Sequence, residues 1–117
     1  MKFAEVSAVL LACLSTGALA NATVQLANEQ SGANANVDIP TDGNPQSVAS
    51  LWGKTSVSKD GVVYATSAQL VAFQQDTSCV IFQRDHYAEL DASKTWVSLN
   101  GGEVVDLNGA FVVCEDK

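Results

Sequence analysis

Tight-turn signals constrain this chain more than any other feature. Asp60-Gly61, Asn100-Gly101-Gly102 and Asn108-Gly109 each stand between short runs rich in Val, Thr, Tyr, Phe and Trp. Asn100-Gly101-Gly102 reads as a turn, while Asp60-Gly61 and Asn108-Gly109 accept the positive φ angles of two-residue hairpin loops and so predict antiparallel strand pairs on either side. No segment sustains the 3.6-residue apolar period of a helix. Thr23–Leu26 alternates polar and apolar, and Asn36–Ile39 predicts a second short strand before a Pro40–Pro45 turn region. Thr55–Ser58 and Val62–Thr66 should pair across Asp60-Gly61. Ala68–Phe73 extends the Val62–Thr66 run or starts a new strand; Cys79–Gln83, Thr95–Leu99, Glu103–Leu107 and Ala110–Cys114 follow as strands, the last pair joined as a hairpin by Asn108-Gly109. Residues 84–94 read as a short strand with a loop. Only Ser47–Trp52 suggests a helical turn, with Ser47 as its cap and Gly53 as its end. The expected fold is all-β: a small sandwich or barrel of about seven or eight short antiparallel strands. Its core should hold Val63, Leu70, Phe73, Val80, Phe82, Val97, Leu99, Val105, Leu107 and Val112, with Trp52 and Trp96 closing the ends.

The N-terminus bears on where such a domain works. Lys2 precedes an apolar stretch from Val6 to Leu14, and Ala18-Leu19-Ala20 places small residues two apart. This is the pattern of a secretory signal peptide cleaved after Ala20. The apolar run falls well short of the ~20 residues that cross a bilayer, so no membrane anchor is expected. Leu11-Ala12-Cys13 has the look of a lipoprotein lipobox, but too little apolar sequence precedes it. Residues 1–20 are therefore set aside, and 21–117 is expected to be a single β domain.

Export decides how the cysteines are read. Cys13 leaves with the leader, and Cys79 and Cys114 remain as an even pair in an oxidising compartment. A disulfide between them is expected, clamping the C-terminal strand to an interior one. His86 is the single histidine of the chain, so neither a zinc site nor a Cys79–His86 catalytic pair is expected. Asp38, Asp42, Asn44, Asp106 and Asn108 supply oxygen atoms in Gly-containing loops, but not at the spacing of a calcium-binding EF-hand. Asx turns account for them without a metal. No cofactor and no metal are assigned.

The formal net charge is −7, with the few basic residues scattered. Phosphate neutralisation needs a basic stripe, so nucleic acid is excluded as a partner, and so is electrostatic attachment to an anionic membrane. Asn21-Ala22-Thr23 is a glycosylation sequon at the expected mature N-terminus. Trp52 and Trp96 are the candidate contact residues, should either be exposed.

The segments "ATVQLANEQSGANANV", "ATSAQLVAFQQDTSC" and "VDLNGAFVVC", behind a signal peptide, resemble those of small secreted proteins of filamentous fungi of the effector-candidate kind. The resemblance implies secretion and a role at a host or competitor surface, and it carries over no active-site residue. The expected function is binding of an extracellular protein or glycan by a monomeric, non-enzymatic, disulfide-stapled β protein. The alternatives are an inhibitor of a protease or glycosidase presenting Pro40–Pro45, and a small hydrolase using acidic residues.

Overall fold

The computed structural model describes residues 21–84 and 86–116. The expected leader, residues 1–20, lies outside the described residues. In chain order the elements are β1 (Asn21–Asn28), β2 (Ala33–Pro40), β3 (Gln46–Ser47), α1 (Val48–Trp52), β4 (Ser58–Lys59), β5 (Val62–Ala65), β6 (Ser67–Ala72), β7 (Thr77–Gln83), β8 (His86–Asp91), β9 (Trp96–Ser98), β10 (Val105–Asp106) and β11 (Phe111–Asp116). They form three antiparallel sheets, ordered β2-β1-β6-β9, β10-β5-β4 and β3-β11-β7-β8. The fold is all-β. It has eleven described strands where the sequence predicts seven or eight: the two-residue β3 gave no periodic signal, and the expected Thr55–Ser58 and Glu103–Leu107 strands form only as the two-residue ladders β4 and β10.

Strand alternation sends successive side chains to opposite faces. On the first sheet it buries Ala22, Val24 and Leu26 of β1 with Ala68 and Leu70 of β6. On the third it buries Cys79 and Ile81 of β7 with Val112 and Cys114 of β11, and Leu90 of β8. These residues meet in one core with Val63, Ala65 and Val105 of the small middle sheet, so the two larger sheets share one interior. Trp52 of α1 is fully buried in that core, and its indole Nε1–H donates to the Ala35 carbonyl at 3.1 Å.

The short helix begins as expected: the Ser47 hydroxyl accepts from the Ser50 amide at 3.3 Å. Gly53 ends it in the right-handed region (φ −65°), not the left-handed cap conformation. Glycine is needed there because a Cβ would collide with the Ala49 carbonyl oxygen. The Asp60-Gly61 turn also forms as expected, with φ of 54° and 82° joining β4 to β5.

Asn108-Gly109 does not make a hairpin. β10 pairs with β5 and β11 pairs with β7 and β3, so the chain uses this turn to cross between sheets. The Asp106 side chain accepts from the Asn108 amide at 2.8 Å, and Gln83 Nε2 donates to the carbonyls of Asp106 and Asn108 at 2.9 and 2.7 Å. These bonds satisfy the turn from outside, in place of a partner strand.

Candidate binding face

Cys79 and Cys114 are bonded, with Cα atoms 4.1 Å apart. They stand directly opposite each other on β7 and β11, the two interior strands of their sheet, and both are fully buried. That narrow spacing belongs to a non-hydrogen-bonded pair of an antiparallel ladder. Their inward position fixes the orientation of everything else on those strands. The apolar run of β7 cannot all face inward: Cys79 and Ile81 are buried, while Val80 and Phe82 turn to the outer face. Val80 and Phe82 were expected in the core, and the alternation set by the cysteines places them outside it.

The outer face that results is organised in rows. Tyr87, Phe82 and Phe111 stand opposite one another across β8, β7 and β11. Phe82 and Phe111 stack at a centroid distance of 5.9 Å, while Phe111 is 41 % and Tyr87 68 % exposed. The next row is Glu89, Val80 and Val113, and the third is Asp91, Ser78 and Glu115. The Tyr87 hydroxyl donates to Glu89 Oε2 at 2.9 Å. That bond is the main cause of a phenol pKa raised above its ordinary value, with slight desolvation and the Glu89 charge adding in the same direction.

Beyond the third row lies a shallow depression of about 250 Å³ lined by Gln75, Asp76, Thr77, Ser78, Asp91, Ala92 and Ser93. Its floor is held in place by the C-terminus. The Asp116 carboxylate accepts from Thr77 at 2.6 Å and from Thr41 at 3.0 Å, joining three separate segments.

The remaining candidates fall elsewhere. Trp52 is interior and offers no contact surface, whereas Trp96 is 50 % exposed on the first sheet, opposite Gln69. Asn21 is exposed at the start of β1, and the sequon hydroxyl of Thr23 donates to Asp38 at 2.7 Å. Asp42 and Asp106 accept from amides two residues on, as Asx turns do. Among the described residues no three His, Cys, Asp or Glu side chains converge as a metal site would require. Every described Asp and Glu is exposed except Asp116, which is half-buried. A larger groove, about 850 Å³, runs between the β1–β2 turn and the β4–β5 hairpin, lined by Asn28, Gln30, Ser31, Ser56, Tyr64 and neighbours. No sequence signal marked it, since its lining mixes polar turn residues with Val57, Val62, Tyr64 and Val104, from segments far apart in the chain.

The aromatic row was the feature missed in the sequence. Phe82 and Phe111 each sit in an apolar run that reads as core, and Tyr87 sits in a polar stretch that reads as a short strand with a loop. Only the strand register brings the three together. Comparison with protein-family models, with curated proteins and with solved structures finds no match.

Proposed function

We propose that this is a secreted protein that works by binding an extracellular partner at a host or competitor surface, without catalysis, through the outer face of the β3-β11-β7-β8 sheet. The observation that carries this reading is the Tyr87–Phe82–Phe111 row. Rings left in solvent side by side on a rigid sheet are costly to solvate, and such patches are where soluble proteins meet partners. The exposure of the carboxylates favours binding over hydrolysis, because acid–base work wants a carboxylate desolvated to raise its pKa. The buried disulfide suits a protein that must keep its shape in an oxidising medium.

The test is affinity capture from host and competitor cell-surface material. Wild-type protein should retain a partner that the Tyr87→Ser/Phe111→Ser variant loses, while Trp96→Ser, on the other sheet, retains it. Equal retention by wild type and the double variant, with both folded, would sink the proposal.

One observation favours the inhibitor as a second reading. Asp42–Pro45 is an exposed loop tied at its base, where the Gly43 amide donates to the Cys114 carbonyl at 2.9 Å. Absence of inhibition at micromolar protein against a panel of extracellular proteases and glycosidases would remove it.

A further inference from the structure

The binding face described above has a charge as well as an apolar row. Of its nine side chains in three rows, Glu89, Asp91 and Glu115 are carboxylates and none is basic. The adjoining depression adds Asp76. Among the described residues, none of these four carboxylates is engaged in an ion pair. Asp91 accepts from the Ser93 and Lys94 amides, which orients the carboxylate. The face thus grades from rings at one end to clustered negative charge at the other, over a distance of three residue rows.

We propose that the occupant of this face is a cationic polypeptide segment: Arg or Lys side chains against Glu89, Glu115 and the Asp76–Asp91 depression, and apolar side chains on the Tyr87–Phe82–Phe111 row. The inference rests on the binding reading given above and adds the chemistry of the partner. Arg serves both ends of such a face, since guanidinium pairs with carboxylates and also stacks on exposed rings. A second copy of this chain is a poor occupant, because it would bring another −7 and the same carboxylates against these. An anionic membrane or nucleic acid meets the wrong sign.

The experiment titrates the full secreted protein with a twelve-residue peptide of alternating Arg and Leu, against a Glu/Leu peptide of the same length, at low and at high salt. The Arg/Leu peptide should bind and the Glu/Leu peptide should not. Affinity should fall at least about tenfold from low to high salt, since exposed charges are screened within a Debye length of ~10 Å at 0.1 M. Glu89→Gln/Glu115→Gln should weaken binding by roughly tenfold, about one strong contact's worth. Asp38→Asn/Asp60→Asn, equal in charge change but remote from this face, should leave it within about twofold of wild type. Equal losses in the two double variants would mean that the peptide reads net charge alone, and would overturn the inference, as would failure of the Arg/Leu peptide to bind. Thermal melts of each variant confirm folding.

Capture from surface material separates this inference from the reading beneath it. If Tyr87→Ser/Phe111→Ser loses the partner but Glu89→Gln/Glu115→Gln keeps it, the face binds something neutral, such as a glycan, and the cationic assignment falls alone. If neither variant loses it, the binding face itself falls.

Discussion

At the scale of single residues, the two tryptophans have opposite roles, and substitution separates them. Trp52 is fully buried with its indole N–H satisfied, so Trp52→Ala leaves a large cavity and removes the bond to the Ala35 carbonyl. It should destabilise by about 3–5 kcal/mol in urea unfolding. Trp96→Ala removes a half-exposed ring and should shift stability by no more than about 0.5 kcal/mol. Acrylamide should correspondingly quench Trp96 fluorescence in the native protein and spare Trp52. The Tyr87 phenol offers a second residue-scale check. Its bond to Glu89 holds the neutral form, so its folded pKa stands above the unfolded one. A group shifted in that direction contributes its stabilisation fully below the unfolded pKa and loses it as pH rises through the folded value. An ultraviolet pH titration should therefore show one of the tyrosines ionising late, and Glu89→Gln should bring it down. No downward movement in that variant would mean that the bond does not hold in solution.

Among the elements, β7 gives the sharpest test, because adjacent apolar residues differ only in the face they occupy. Ile81→Ala should cost about 2–5 kcal/mol, whereas Val80→Ala should cost under about 1 kcal/mol. Similar costs at both positions would mean that the strand register is wrong. The same strand shows how far the sequence could be read. Its existence was legible from β-branched and aromatic content, but its orientation was not, because a continuous apolar run has no alternation to read. The buried disulfide supplies that orientation, through a long-range pairing. Turns divide in the same way. Asp60-Gly61 closes a hairpin as its local chemistry demands, while Asn108-Gly109 has the same chemistry and joins strands of different sheets. A turn dipeptide specifies backbone angles, and the partners of the flanking strands are decided by the core. The aromatic row was illegible for that reason: it consists of register, which no local window contains.

For the whole molecule, the disulfide dominates the expectations. Intact-mass measurement of residues 21–117 should find them two hydrogens lighter than the sequence, with no thiol free to alkylate before reduction. Replacing both Cys79 and Cys114 by Ala should lower stability by about 3–4 kcal/mol on the chain-entropy account of a loop of this length. That is a large share of a typical domain's 5–15 kcal/mol, roughly. N-terminal sequencing of secreted material should begin at Asn21, the first residue of β1. The placement of the bond has a further consequence for resistance to proteolysis. The bonded sulfurs bracket a segment of the chain, their residues 35 apart in sequence, that carries β8, β9, β10 and the turns between them. A single cut in any of those exposed turns leaves two pieces that are still one molecule. The nicked protein should run as full-length without reductant and as fragments with it, and the rings of β7 and β11 should remain side by side. Digestion of this region would thus have to cut more than once before the aromatic row came apart.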